Sequence, residues 1–279
     1  MAHSEDLSLK TFDGLERFGQ IWPVENPRAV VIINHGIGEH VMRYAHFADF
    51  FVAQQIAVLG FDHRGHGRTG GKRGHTPNIK AFYKDIEQSI GEAKNRFPGT
   101  PVFLFGHSLG GNLVMGFTLF EKPKIAGIIA SAPWIQLAFN PPKIKVFLGK
   151  LLAGLLPTLP QPNGLDVNYL SRDTDVVEKY VADPLVHDKI TLATAAGMFD
   201  KADYLNEFTG KFPSPLLLLH GTADRLTSAH ATEAFFQRNR FENDDMQLKL
   251  YRDFYHEIHN EPQRITEFTD ILEWINYHL

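Results

Sequence analysis

The chain has 279 residues, of which 43% are hydrophobic and 22% charged, with a formal net charge of −4 and no cysteine. This length allows a large buried core, and a small negative charge without basic runs argues against a nucleic-acid partner. The lack of cysteine excludes disulfides, thiolate catalysis and cysteine-ligated metals. The polar start MAHSEDLSLK does not resemble a secretory signal, and no window reaches the roughly 18 apolar residues of a membrane span. We therefore expect a cytoplasmic protein.

Short apolar runs recur along the chain, separated by stretches with helical periodicity. The runs cover 29–34, 57–62, 101–105, 125–130, 215–220 and 246–251. Most are continuously apolar, which is typical of strands in a parallel sheet that helices cover on both faces. The candidate helices cover about 42–55, 79–96, 109–121, 228–240 and 262–278. After an N-terminal antiparallel hairpin, this alternation predicts one α/β domain over 1–279 with a mostly parallel, doubly wound sheet.

The alternation stops between about 133 and 210, where no strand-like run occurs. Within this region KIKVFLGKLLAGLLP places its apolar residues on one helical face and its lysines off that face. The loop PTLPQPNG follows. We expect a helical cap insertion laid over the sheet. Its apolar face has three possible roles, namely contact with an acyl chain, contact with a membrane surface, or simple packing on the core.

The segment LFGHSLGG (104–111) places a serine between two glycines at the junction of a strand and a helix. GHSLG matches G-x-S-x-G, the nucleophile elbow, in which a sharp turn holds the serine hydroxyl clear of the sheet. Gly106 and Gly110 lack the Cβ atoms that would clash in so tight a turn. The pentapeptide alone occurs by chance, but the flanking strand and helix make Ser108 the candidate nucleophile.

A nucleophilic serine needs an acid and a base, and in this type of fold the chain order is Ser, acid, His. Asp224 follows the end of the run PLLLLH by four residues, a position that is also common for an ordinary turn aspartate. His256 and His259 both lie after the last strand-like run, in YHEIHNEP. The order therefore predicts Asp224 as the acid and one of these two histidines as the base.

An oxyanion hole needs two backbone donors beside the nucleophile. The N–H of Leu109 lies at a helix N-terminus, where negative charge is favoured. The N–H of Ile37, in HGIG after the run 29–34, is the natural second donor, although this segment also suits a simple glycine turn.

Two other motifs could indicate a cofactor or a metal. GHGRTG (65–70) satisfies G-x-G-x-x-G, but no apolar helix follows it, as a dinucleotide fingerprint requires. HEIH (256–259) spaces its histidines three residues apart, whereas H-E-x-x-H zinc motifs space them by four. We expect neither a cofactor nor a metal.

Six segments in chain order resemble the monoacylglycerol lipase and lysophospholipase group of serine α/β-hydrolases. They are HGIGEHVMRY, FDHRGHGRTGGKRGH, GHSLGG, DPLVHDK, HGTADRL and YHEIHNEP. The resemblance runs from about residue 10 to the C-terminus, and the insertion matches the position of the family's cap. It implies an α/β-hydrolase fold, with Ser108 as nucleophile, Asp224 as acid, His256 as base, and Ile37 and Leu109 as oxyanion donors.

The resemblance also implies a polar pocket for the glycerol end of the substrate, formed by Glu39, Arg43 and His259. By their spacing, Glu39 and Arg43 could instead simply pair with each other on a helix. For the acyl chain we expect contacts from the apolar cap face, with Phe147, Leu148, Leu151 and Leu152 as substrate-binding residues.

The expected function is hydrolysis of monoacylglycerols to fatty acid and glycerol through an acyl-enzyme. The alternatives are a lysophospholipase or broad carboxylesterase, a serine peptidase or acyltransferase on the same frame, and a catalytically silent binding protein. The expected partner is a small lipid ester, with peripheral membrane contact through the cap as a further expectation. The sequence does not indicate an oligomeric state.

Overall fold

A mostly parallel eight-stranded sheet forms the centre of the computed structural model, which describes residues 2–139 and 141–279. In chain order the strands of the protein are β1 (Glu5–Lys10), β2 (Glu16–Trp22), β3 (Ala29–Asn34), β4 (Ile56–Phe61), β5 (Val102–His107), β6 (Gly127–Ser131), β7 (Pro160–Pro162), β8 (Lys189–Thr191), β9 (Leu216–Gly221) and β10 (Met246–Tyr251). The large sheet has the order β1-β2-β4-β3-β5-β6-β9-β10. β1 and β2 form the expected antiparallel hairpin, and the six strands from β4 to β10 in that order run parallel.

Central strands of the sheet are buried along their whole length, as the continuous apolar runs predict. Every residue of β3, β4, β5, β6 and β9 is buried. β10 lies at the edge of the sheet and is partly exposed. The six predicted runs are confirmed as strands, with bounds that differ by at most two residues.

Helices cover both faces of the sheet. They are α1 (Ala45–Val52), α2 (Ile79–Arg96), α3 (Leu109–Glu121), α4 (Lys143–Ala153), α5 (Thr174–Ala182), α6 (Leu192–Glu207), α7 (Ala229–Asn239) and α8 (Ile265–Tyr277). One buried cluster includes residues of α2, α3, α6 and α7, and a second includes residues of α1 and α8 on the opposite face. Since each continuous strand supplies side chains to both clusters, the doubly wound architecture is confirmed.

The segment between β6 and β9 carries the cap, and here one expectation is wrong. The structure places a short antiparallel pair there, in which Pro160 faces Thr191 and Pro162 faces Lys189. Sequence reasoning missed it because each strand has only three residues and two of the three in β7 are prolines, so neither strand shows an apolar run. α4 packs on α6, and α6 packs in turn on α3 of the sheet layer.

Among the described helices, none combines the length and the hydropathy that crossing a membrane requires.

Candidate active site

Ser108 lies at the junction of β5 and α3 in a conformation that few residues other than glycine adopt. It follows the last residue of β5 and precedes the first residue of α3, with a φ of 54° and a ψ of −113°. Such a conformation costs of order 1–3 kcal/mol and persists only where the surroundings hold it. The surroundings do so here, because Ser108 N–H donates to the Ser131 carbonyl (3.0 Å) and the Ser108 carbonyl accepts from Trp134 N–H (3.0 Å).

The two flanking glycines are required by close backbone contacts. A Cβ on Gly106 would meet the carbonyl of Gly110, and one on Gly110 would meet the carbonyl of Asn34 at the end of β3. The elbow therefore packs directly against the neighbouring strand. This geometry matches the expectation from the motif.

Asp224 and His256 form a buried pair at the carboxyl edge of the sheet. His256 Nδ1 lies 2.7 Å from Asp224 Oδ2, and the other carboxylate oxygen accepts from the N–H groups of Leu226 (2.7 Å) and Thr227 (3.1 Å). Because an ionised carboxylate only accepts, Nδ1 is the donor, and Nε2 of the neutral ring is free to accept a proton. Thr227 Oγ1 and His220 Nε2 also lie within 3.1 Å of Oδ2.

This pair shifts the acid–base properties of both residues. Burial acts to raise the pKa of Asp224, but His256 and the hydrogen bonds from His220 and His256 outweigh it and hold that pKa far below its usual range. Burial acts to lower the pKa of His256, but Asp224 outweighs it and the pKa is raised above its ordinary value. The carboxylate therefore stabilises the protonated imidazole that a general base becomes.

Both candidate oxyanion donors lie beside Ser108. Leu109 is the first residue of α3, so its N–H has no acceptor within the helix. A Cβ on Gly36 would lie 3.4 Å from the Cβ of Ser108, which brings the turn after β3 against the elbow. Ile37 and Ser108 line the same cavity. The two segments that the sequence indicated therefore lie together at Ser108, and the role of their N–H groups stays a prediction.

A largely apolar cavity of about 450 Å³ opens between the sheet and the cap, with Ser108 and His256 in its wall. Its apolar lining includes Trp134, Leu137, Phe139, Val146, Ile190, Leu192 and Phe199. A pocket of this size, apolar with a few polar groups, is typical of sites for small organic ligands. The cavity suits an acyl chain whose ester carbon lies at Ser108.

The apolar face of α4 lies outside this cavity, which corrects the expectation for Phe147, Leu148, Leu151 and Leu152. These side chains, with Ile144, Leu155 and Leu156, are 40% to 76% exposed. The helix instead turns Lys145, Val146, Gly149 and Lys150 to the cavity. Amphipathicity identified the apolar face correctly but not the environment that it contacts. Packing of that face on the core is therefore excluded.

Beside Ser108, the structure brings Glu39 and Arg43 together as a buried ion pair. Arg43 Nη1 donates to Glu39 Oε2 (2.6 Å), while Glu39 Oε1 accepts from Gly36 N–H (2.6 Å) and the Tyr44 hydroxyl (2.8 Å). Glu39 thus fixes the turn that carries Ile37. The two residues do pair at a spacing of four, as the simpler alternative proposed, but the pair is buried and borders the site.

His259 occupies a different position from the one expected. It is fully buried, its ring stacks on Tyr44 at 4.6 Å and it meets the edge of His107 at 4.8 Å. Burial holds its pKa well below the ordinary value. His259 is absent from the described linings of the two cavities beside Ser108, so it supports the site from behind.

Sequence reasoning missed Glu257, which directly follows His256. Its carboxylate binds Arg43 through two hydrogen bonds of 2.7 Å each. Burial acts to raise its pKa, but Arg43 outweighs it and lowers the pKa to about 2. The one signal available was its position next to His256 in YHEIHNEP, and adjacency alone does not show which way a side chain points.

The strained serine at the end of β5 and the buried Asp224–His256 pair beside it are the arrangement of a serine hydrolase of the α/β-hydrolase class. A sequence profile of the family described as "Serine aminopeptidase, S33" matches residues 25–263, and the chain belongs to this family.

Within that family, the chain is similar to monoacylglycerol lipases. The monoacylglycerol lipase of Mycolicibacterium smegmatis is 34% identical over 93% of this chain and 92% of its own length. The crystal structure of Paleococcus ferrophilus monoacylglycerol lipase is 34% identical, has a TM-score of 0.85 and covers 95% of this chain and 99% of its own. An abhydrolase domain-containing protein of Dictyostelium discoideum is 38% identical. The match covers 97% of this chain and 28% of that longer protein. The resemblance found in the sequence is thereby confirmed.

Proposed function

We propose that the protein hydrolyses monoacylglycerols to a fatty acid and glycerol through an acyl-enzyme on Ser108. The observation that carries the proposal is the position of Ser108, which lies where the apolar cavity meets the Asp224–His256 pair. The similarity to monoacylglycerol lipases supports this choice of substrate.

Acylation begins when His256 Nε2 takes the proton of Ser108 Oγ as the oxygen attacks the acyl carbon. Asp224 orients the ring and stabilises its protonated form. The N–H groups of Ile37 and Leu109 stabilise the oxyanion, and loss of one such donor costs about 3 kcal/mol in comparable enzymes. His256 then gives the proton to the glycerol oxygen as the C–O bond breaks. Water attacks the acyl-enzyme by the same steps in reverse and releases the fatty acid.

The two ends of the substrate meet different surroundings. The apolar cavity accommodates the acyl chain, whose binding energy is remote from the bond that breaks. A smaller cavity adjoins it at Ser108 and is bordered by the polar residues Glu39 and Glu257 and by the cap residue Tyr180. We assign the glycerol end to this side, with Glu39 and Arg43 as the polar groups and His259 as support.

We further propose that the exposed face of α4 docks on a membrane surface. Seven apolar side chains, 40% to 76% exposed, form a patch on α4 and the turn that follows it, and such patches mark interaction sites. An exposed apolar helix face of this kind is typical of helices that lie in the interface of a membrane. Lipid substrate would then enter the cavity from the bilayer beside the cap. The cytoplasmic location remains a prediction.

A panel of esters with one common acyl chain tests the proposed function. It contains a monoacylglycerol, a methyl ester, a diacylglycerol, a triacylglycerol, a lysophosphatidylcholine and an aminoacyl amide, with Ser108→Ala as the inactive control. We expect the highest kcat/KM for the monoacylglycerol, because a site that binds hydroxyls disfavours substrates that leave its polar groups unpaired. Preference for the triacylglycerol or the aminoacyl amide would overturn the proposal.

A further inference from the structure

A buried triad of two carboxylates and one guanidinium borders the polar side of Ser108. Arg43 lies between Glu39 and Glu257, and the three closest N···O distances are 2.6 to 2.7 Å. Their side chains are 10%, 3% and 2% exposed, respectively. Glu39 accepts hydrogen bonds from a guanidinium, a backbone N–H and a hydroxyl. An ionised carboxylate, which only accepts, can take all three. Burial raises the pKa of Glu39 and Arg43 opposes that rise; with both carboxylates ionised, the triad carries a net charge of −1.

Arg43 has little capacity left for an anionic ligand. Three of its hydrogen bonds already go to carboxylates, and the ring of Tyr180 covers one face of the guanidinium at 4.6 Å. A phosphate that bound the same N–H groups would have to displace Glu39 or Glu257. Displacing Glu39 would also release the Gly36 turn that carries the Ile37 donor.

Apart from His256, whose protonated form belongs to the catalytic pair, the described lining of the small cavity beside the triad offers no other positive group. Its lining in the described chain contains two carboxylates and neither lysine nor arginine. The remaining titratable wall residue apart from His256 and Tyr180 is His107, and burial lowers the pKa of His107 to about 3, so its ring is neutral. The cavity has a volume of about 10 Å³, enough for roughly one water. Ile37, Ser108, Leu165 and His256 line both this cavity and the large one, so the two carboxylates border the space next to Ser108 at about the width of one water.

From this arrangement we infer that Glu257 is a specificity-determining residue that rejects esters with an anionic leaving alcohol, such as the phosphate-bearing lysophospholipids. Together with Glu39 it more than neutralises Arg43 and leaves the alcohol side negative. Like charges that meet in a buried site cost several kcal/mol, because little water is present to screen them. The inference rests on the proposed function, since it describes the alcohol side of the same site. Glu257 thus disfavours anionic leaving alcohols by repulsion, while the polar groups of Glu39 and Arg43 favour neutral alcohols that carry hydroxyls.

The experiment compares leaving alcohols of different charge on one acyl chain. The substrates are monooleoylglycerol, oleoyl lysophosphatidylglycerol and oleoyl lysophosphatidic acid, assayed as monomers in one neutral detergent. We expect the wild type to favour the neutral ester by at least about 100-fold in kcat/KM. Glu257→Gln keeps the shape of the side chain but removes its charge, and should narrow that ratio about tenfold or more by raising activity on the anionic esters. Asp188→Asn, an exposed carboxyl-to-amide change on the cap, is the matched control and should leave the ratio unchanged.

Two further measurements test the role of Glu257 if the variant does not fold or if monoacylglycerols are not substrates. If Glu257→Gln does not fold, the wild-type ratio is measured in 1 M salt, where the screening length is about 3 Å. Discrimination by the buried triad persists there, whereas discrimination by the surface charge of the protein disappears. If monoacylglycerols are not cleaved, the proposed function fails, and the charge effect is read from the monobutyrate of ethylene glycol against butyryl glycolate.

A wild-type ratio below about threefold on either pair would overturn the inference, as would an equal loss on neutral and anionic esters in Glu257→Gln.

Discussion

Val146 and Phe147 are neighbours on α4, yet Val146 lines the cavity that holds Ser108 whereas Phe147 is 64% exposed. The helix therefore separates the apolar interior of the site from an apolar outer surface. Since the two sides differ by one residue along the chain, substitutions on α4 can affect acyl-chain binding and surface docking separately.

Leu151→Asp and Val146→Asp test this separation. Leu151→Asp places a charge on the exposed face, so it should weaken liposome binding and leave the melting temperature within about 1 °C, because no core contact is lost. Val146→Asp places the charge at the cavity, and should reduce kcat/KM on monomeric long-chain esters far more than on butyrate esters. Flotation with anionic and neutral liposomes and a chain-length series provide the readouts. Unchanged liposome binding in Leu151→Asp would contradict docking through this face.

His256 and His259 should respond differently to substitution. His256→Ala removes the base and should lower kcat on a simple ester by about four orders of magnitude or more. His259→Ala leaves the Asp224–His256 pair in place and removes a buried ring stacked on Tyr44. It should lower the melting temperature and keep most of kcat. An equal loss of kcat in both variants, with both folded, would assign His259 a role in the chemical step.

Asp224 should control the pH dependence of catalysis. The base acts in its neutral form, and Asp224 raises the pKa of His256, so wild-type kcat/KM should fall as the pH drops through a value above the ordinary 6.5. Asp224→Asn removes this effect, so the acidic limb should move to lower pH while kcat falls about 10⁴-fold. Steady-state rates between pH 5 and 9 measure both changes. An unmoved acidic limb would show that another group governs it.

Glu267 is a fully buried carboxyl on α8 that should make stability depend on pH. Burial raises its pKa to about 8 against the hydrogen bond from Ser131 (2.8 Å). In the unfolded chain the group ionises near 4.5, so its contribution to stability is present below that pH and is lost as the pH rises to about 8. Glu267→Gln should therefore gain several degrees in melting temperature relative to wild type between pH 5 and pH 9. Glu273→Gln, an exposed change on the same helix, should show no such gain, and a pH-independent difference for Glu267→Gln would contradict the assignment.

The sheet was predictable because its strands are buried on both faces and their sequence shows it directly. The runs that became β3, β4 and β9 contain almost no polar residue, so burial on both sides follows from composition alone. The elbow was also predictable from the sequence, because any side chain at Gly106 or Gly110 would overlap neighbouring backbone atoms.

The cap was less predictable because local pattern does not name a contact partner. The periodicity of α4 is the same whether its apolar face contacts the core, a substrate or a lipid surface. The sequence therefore identified the face, but we predicted that it lines the cavity, whereas its side chains are exposed. Pro160–Pro162 pairs with a segment about 30 residues away and carries no signal of its own. In the turn after Tyr255, Glu257 lies in the cavity wall whereas His259 lies in the interior, and residue spacing does not reveal this difference.

Direct detection of the acyl-enzyme tests the central claim. The protein is mixed with monooleoylglycerol, quenched in acid within the first turnovers, digested and examined by mass spectrometry, with His256→Ala and Ser108→Ala treated in parallel. We expect one oleoyl group on the peptide that contains Ser108 in the wild type, release of glycerol in at least equal amount, and neither in Ser108→Ala. An oleoyl group on another residue, or glycerol release by Ser108→Ala at the wild-type rate, would contradict it.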